Sequence, residues 1–279
     1  MLKKSLLLAT SLAATAAWAQ APQPASTPTA QTLVLASDSQ RFAHDRLLEM
    51  ARFLGKTQRF GVALRINYDA VQSDGQKIEF GEVRDVAVAR PNRVRVAESS
   101  SDGSNSLMLF DGERITVSSR DGGSVLYAQT VQPGDIDATV VHYVRDLKLR
   151  LPLAPILMSR LADELQRRLT AIDYVERSSL NGKPVHHIAG RTAAVDFQVW
   201  IADDKKPLPQ RIVITYKTEV GQPQFRADFS KWNLSPNFDK ATFRFKPAAN
   251  SSQIMFAVQV PPELIDTRGA PTSAKGEQK

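Results

Sequence analysis

The sequence predicts an α+β protein: a single curved, half-open antiparallel β-barrel of about eleven strands with a helical lid or plug. Three observations predict it. Most of the central chain alternates apolar and polar residues with period two, as half-buried strands do. Asp74-Gly75, Asp111-Gly112, Asp121-Gly122 and Asn181-Gly182 punctuate these runs with hairpin-turn pairs. Only two stretches, about 38–54 and 133–169, carry a helical period instead. A sheet this wide curls rather than staying flat, and its apolar face needs a cover that only those helices can supply.

The chain begins with a basic pair, Lys3 and Lys4, then an apolar run from Ser5 to Ala17, then Ala17-Trp18-Ala19. This is the pattern of a signal peptide over 1–19, cleaved after Ala19. The apolar run is too short to span a bilayer, and no later segment reads as transmembrane. Residues 20–37 form a Pro/Ala-rich linker, 38–246 the folded domain, and 247–279 a mostly disordered tail. Cysteine is absent. That excludes disulfides, thiolate metal sites, thiol nucleophiles and lipid attachment through cysteine. Removing the leader lowers the formal charge from +7 to about +5. Export makes nucleic acid a poor partner for that charge, and an envelope lipid or an envelope membrane protein a better one.

The elements follow in order. A helix over 38–54 can be capped by Asp38 or Ser39, and Phe42, Leu47, Met50 and Leu54 recur along it. Phe60, Val62, Leu64, Ile66 and Tyr68 then alternate with polar or small residues. A second strand carries Ile78, Phe80, Val86 and Val88 on one face, and Val94 and Val96 mark a third. Short strands near 107–110, 115–117 and 125–128 complete a meander. In the helical insert, Pro133 suits a first turn, and Ile136, Val140, Val141, Val144 and Leu147 make an apolar stripe. Residues 151–157 (LPLAPIL) are apolar and twice broken by proline; Leu161, Leu165 and Leu169 continue helically. Strands resume over 171–180 and 184–190. The runs Val195–Ile201, Ile212–Tyr216 and Phe225–Phe229 follow, and Phe243 and Phe245 close the core.

The candidate residues follow from this layout. The inner-face residues Val62, Leu64, Ile66, Val86, Val88, Phe197, Val199, Ile212 and Ile214 would line a cavity. Ile136, Val140, Val144, Leu153, Ile156, Leu157 and Met158 would form its lid, since prolines break the helix and methionine adapts to varied ligands. Arg90, Arg93 and Arg95, with Arg84 nearby, make the densest basic patch and would contact an anionic head group. Asp135 and Asp137 sit where carboxylates favour a helix start. His44 and His142 fall on helices and read as solvated. His186 and His187 are adjacent on a strand and must face opposite ways, so they do not share a metal, and no metal or cofactor is expected. No GxSxG, HExxH, P-loop or GxGxxG pattern is present, so no catalytic residues are assigned.

Local strings add a resemblance. Ser73-Asp74-Gly75-Gln76-Lys77, Arg90-Pro91-Asn92-Arg93, Phe110-Asp111-Gly112, Leu151-Pro152-Leu153-Ala154, Val185-His186-His187-Ile188, Pro207-Leu208-Pro209 and Trp232-Asn233-Leu234 occur in that order. With them the chain resembles a family of bacterial periplasmic proteins, domain-of-unknown-function family 2092, and in architecture the lipoprotein carriers LolA and LolB. The resemblance implies a half-open barrel with a helical lid, an acylated ligand and a periplasmic location; it implies no reaction. The expectation is a non-enzymatic periplasmic carrier of a lipid or other acylated molecule. The alternatives are an envelope regulatory or scaffold module binding protein, and a hydrolase centred on His186, His187 and Asp196.

Overall fold

The computed structural model describes residues 33–259 apart from Gly122. The predicted signal peptide, most of the linker and the tail beyond 259 lie outside the described residues. The helix α1 (Asp38–Lys56) precedes the strands β1 (Arg59–Val71), β2 (Lys77–Ala89), β3 (Arg93–Ser100), β4 (Asn105–Phe110), β5 (Arg114–Asp121) and β6 (Ser124–Val131). The insert contains α2 (Ile136–Val141) and α3 (Leu161–Arg168). Then come β7 (Ala171–Leu180), β8 (Lys183–Arg191), β9 (Val195–Ala202), β10 (Pro209–Tyr216), β11 (Gln224–Asn233) and β12 (Ser251–Ile254).

All twelve strands form one open sheet in the order β12-β6-β5-β4-β3-β2-β1-β11-β10-β9-β8-β7. The two meanders meet where β1 pairs antiparallel with β11, Tyr68 lying opposite Phe225 and Ile66 opposite Ala227. The inner face carries Phe60, Val62, Leu64 and Ile66 of β1 and Val88, Val94, Met108, Phe110 and Ile115 of its neighbours, all buried. α1 covers the β7 side of this face with Ala43, Leu47, Met50, Ala51 and Leu54. Ser37, rather than Asp38 or Ser39, caps it: the Ser37 hydroxyl accepts from the Gln40 amide at 3.1 Å.

The predicted helical insert is mostly not α-helix. After α2 the chain takes one π-turn, His142–Asp146, in which the Leu147 amide donates to the His142 carbonyl at 3.0 Å. The wider turn breaks the 3.6-residue stripe. Tyr143 is buried in place of Val144, which is 45% exposed. A 3₁₀ turn, Ala154–Leu157, then precedes α3. Lys148 (φ 56°) and Leu153 (φ 66°) are left-handed although neither is glycine, a conformation that costs roughly 1–2 kcal/mol each.

The ordered core runs past 246, where the sequence places the start of the tail. β12 adds a parallel edge strand beside β6, Ser251 opposite Val125 and Ile254 opposite Ala128. Phe243 and Phe245 do not close the inner core. The segment after β11 crosses the outer face of β3–β6, where Phe245 meets Tyr127 with ring centroids 5.1 Å apart. Leu109 points outward yet is 1% exposed. These apolar outer-face positions required cover that the short helices could not give.

Candidate functional site

Two cavities open on the inner face. The larger, about 630 Å³, is lined by Tyr68, Glu82, Arg84, Glu98, Met108 and Val117 of the sheet, by Tyr143, Val144 and Leu149–Pro152 of the insert, and by Tyr216 and Phe225. The smaller, about 270 Å³, is nearly all apolar. Leu47 and Met50 of α1, Leu161 and Leu165 of α3, and Phe197, Val199, Ile212 and Ile214 of the sheet enclose it. Between them the segment 151–157 packs on Phe60, Val62, Leu64 and Val86, leaving a gap of only about 30 Å³.

The residues expected to line one cavity are therefore divided. Phe197, Val199, Ile212 and Ile214 line the apolar pocket. Val62, Leu64 and Val86 lie beneath the proline-broken segment. Ile66 and Val88 are fully buried and line neither cavity. Of the expected lid, Ile136, Val140, Leu157 and Met158 are buried core. Leu153 and Ile156 wall both the gap and the apolar pocket. Val144 faces the larger cavity because of the π-turn.

The polar end of the larger cavity was not singled out in the sequence. Glu82 and Arg84 stand on β2 at the parity of Phe80, Val86 and Val88, so they point inward, and Glu98 lies opposite Arg84 on β3. Arg84 Nε donates to Glu98 Oε2 at 3.0 Å, its Nη2 lies 2.5 Å from Glu82 Oε1, and its Nη1 reaches the Pro152 carbonyl at 3.5 Å. Burial pushes the Glu82 carboxyl up to about 7, with Arg84 opposing and Glu98 adding to the rise. Burial likewise pushes Tyr143 up to about 12. The signal that marks this cluster is two charges at apolar-parity positions of a strand.

The arginine patch is corrected. Arg90 is not free to meet a head group: its Nε donates to the Thr57 carbonyl at 3.1 Å and its Nη2 to the Leu54 carbonyl at 3.4 Å, closing the C-terminus of α1. Burial lowers its pKa from the ordinary value, with Asp137 opposing. Arg93 and Arg95 stand on the outer face of β3, with the sheet between them and both cavities, so they cannot touch the head group of a molecule held inside. Arg95 instead lines an outer groove of about 670 Å³ with Arg120, Arg244 and Lys246.

The two aspartates at the start of α2 do different work. Asp135 caps, accepting from the Ala138 amide at 2.8 Å. Asp137 is buried and turns away from its own helix. It accepts from the Ser159 amide (2.7 Å), the Ser159 hydroxyl (2.8 Å) and the Arg160 amide (3.3 Å).

His186 and His187 face opposite sides, as adjacent strand residues do. His186, inward and buried, lies 3.1 Å from the Tyr174 hydroxyl and 3.0 Å from Asp203 Oδ1. His187, outward, stacks on Trp200 at 4.0 Å and bonds Gln198 at 2.9 Å. Asp196 joins neither: its Oδ1 lies 3.0 Å from Arg191 Nε and 3.0 Å from Lys217 Nζ. The hydrolase arrangement is not assembled, because register places Asp196 opposite Arg191 and not opposite a histidine. Among the described residues no group of three or more His, Asp or Glu is placed to hold a metal ion. His142 is not simply solvated; its Nδ1 lies 2.9 Å from Asp146 Oδ2.

Gly190 lies under the Phe197 ring: a Cβ there would stand 2.2 Å from its Cζ. Gly190→Ala should force that ring to move and lower the unfolding free energy by about 1–3 kcal/mol. Urea unfolding checks this, and a variant as stable as the parent would show that the ring gives way freely.

The open twelve-stranded sheet of the described residues thus carries an apolar pocket and a cavity with a charged end on either side of one irregular segment. The family described as "Predicted periplasmic protein (DUF2092)" matches residues 43–257, and the chain belongs to it. No curated protein matches the sequence. The chain is similar to the lipoprotein LppX of Mycobacterium tuberculosis at 17% identity and TM-score 0.46, over 73% of this chain and 100% of that one. It is similar to LprF of Mycobacterium bovis at 12% identity and TM-score 0.47, over 72% and 97%. A LolA superfamily protein of Nitrosomonas europaea is similar at 12% identity and TM-score 0.34, over 75% and 98%. No helix among the described residues is long and apolar enough to cross a membrane.

Proposed function

We propose that the protein is a non-enzymatic periplasmic carrier that shelters the acyl chain of a lipid or acylated molecule on its inner face. The observation that carries this reading is the pair of cavities divided only by residues 151–157. Displacing the whole segment, Leu151 and Pro152 on the side of the larger cavity and Leu153 and Ile156 on the side of the apolar pocket, would join them into one channel along β1, β2 and β10. Each methylene buried there contributes about 0.8 kcal/mol, so a long chain binds without polar recognition. When the chain leaves, the same apolar side chains return and fill the groove.

The segment is built to move. Its prolines withhold backbone donors, and Leu153 holds a left-handed conformation that opening can relax. The test is direct. The protein is purified from periplasm without detergent, extracted with organic solvent and analysed by mass spectrometry, and a fluorescent fatty acid is titrated into the stripped protein. Co-purified acyl lipid and saturable binding are expected. A clean extract with no fatty-acid binding would sink the carrier reading.

A further inference from the structure

The outer face of the sheet differs between its two halves. On β8, β10 and β11 each arginine stands in an ion pair: Arg191 with Asp196 at 3.0 Å, Arg211 with Asp228 at 3.2 Å and Arg226 with Asp69 at 2.9 Å. On β3 and β5 the outward arginines are Arg93, Arg95, Arg114 and Arg120, and none forms an ion pair among the described residues. Arg95 and Arg120 line the outer groove of about 670 Å³, and Arg244 and Lys246 reach it from the segment after β11, also without an ion pair among the described residues. Asp239, the carboxylate that lines the groove, is engaged: its Oδ1 accepts from the Ala241 amide at 3.1 Å. Leu107, Leu109 and Val125 give the groove an apolar floor. Along the neighbouring β6/β12 edge and the turn after it, Leu126, Val131, Ile254, Met255 and Val258 stand 45–60% exposed.

We propose that this groove and edge dock the protein on an anionic phospholipid bilayer. The surface lies across the sheet from both cavities, so the proposal does not rest on the carrier reading. Cations without carboxylate partners keep their full attraction for phosphate, and guanidinium forks match phosphate oxygens in pairs. The register argues against one compact anion. Arg95 is level with Leu109 and Thr116, whereas Arg120 is level with Asn105, four residues further along β5. The two stand roughly 13 Å apart along the strands, too far to grip a single phosphate and suited to a layer of head groups. The exposed aliphatic side chains favour a bilayer over a soluble acidic partner. Beside a basic surface such side chains enter the boundary between head groups and acyl chains, and so add apolar burial to the attraction of charge.

The experiment is flotation of the protein, purified from periplasm, with vesicles of phosphatidylcholine alone or with about one third phosphatidylglycerol. Binding should require phosphatidylglycerol and should fall steeply between about 25 and about 250 mM salt. Arg95→Gln with Arg120→Gln, and separately Arg244→Gln with Lys246→Gln, should each weaken it about tenfold or more, since one cation near such a surface contributes roughly fivefold. Arg41→Gln with Arg191→Gln removes the same charge from exposed ion pairs elsewhere and should change binding by less than about threefold. Met255→Ser with Val258→Ser should weaken binding several-fold at either salt concentration. None of these side chains is buried, so each variant should melt like the parent. Indifference to phosphatidylglycerol, or equal losses for all three charge pairs, overturns the docking surface. Failure to float with either vesicle, together with binding of polyglutamate that Arg95→Gln with Arg120→Gln abolishes, overturns it in favour of an acidic protein partner. None of these results touches the carrier reading, which stands or falls by its own extraction and titration.

Discussion

Replacing Asp137 with alanine should lower the unfolding free energy by about 3 kcal/mol, a drop of roughly 6–12 °C in Tm for a chain of this size. Asp137 is where the chain after residues 151–157 is tied to α2. It holds the Ser159 amide and hydroxyl and the Arg160 amide, at the start of α3. It also sits close enough to Arg90 for its charge to be felt there, and Arg90 in turn closes α1. The Ile136 amide donates to the Pro91 carbonyl at 2.9 Å in the same place. Removing the carboxylate takes the acceptor from the Ser159 amide and hydroxyl and the Arg160 amide, and takes from Arg90 the one negative charge that offsets its burial. Asp135→Ala is the internal comparison, since it removes only a helix cap worth about 1 kcal/mol. Thermal unfolding followed by circular dichroism separates the two; equal losses would refute the junction.

The second large effect is one of pH. The Glu82 carboxyl is raised from an ordinary 4.5 to about 7 in the folded chain. Between those values the unfolded chain has released its proton and the folded chain has not. The stability this group contributes is complete below about pH 4.5 and is lost as pH rises through 7. The full difference is up to about 3 kcal/mol. Glutamine mimics the protonated form and does not titrate. Glu82→Gln should therefore flatten the fall in stability between pH 4.5 and 7 and make the variant the more stable protein at pH 8. Urea unfolding at pH 5, 6, 7 and 8 tests this, and parallel slopes for the two proteins would count against it.

What the sequence made legible was local. Period two revealed eleven of the twelve strands, because an antiparallel strand with one covered face writes its burial into its own residues. Turn pairs such as Asn181-Gly182 marked the hairpins for the same reason. The misses all depend on partners far along the chain. Arg90 looked like part of a surface patch with Arg93 and Arg95, but its partners are carbonyls of Leu54 and Thr57, delivered by α1. Val144 fitted the apolar stripe of an ideal helix until a π-turn rotated it out. β12 is four residues long and mixed in polarity, and only β6 beside it makes it a strand. Glu82 and Arg84 did carry a local sign, the parity of their positions, that outranks their charge as a guide to where they point.

The pairing of β1 with β11 has a consequence for assembly. Tyr68 and Phe225 are neighbours in the finished sheet yet lie at opposite ends of the folded chain. Each meander can zip up by hairpins alone, but the central seam closes only after some 150 intervening residues are in place. Until β11 arrives, β1 is a bare edge with Phe60, Val62, Leu64 and Ile66 on one face, the apolar template most open to pairing with another molecule. Sequence changes in β11 should slow maturation even where they leave the finished fold unharmed.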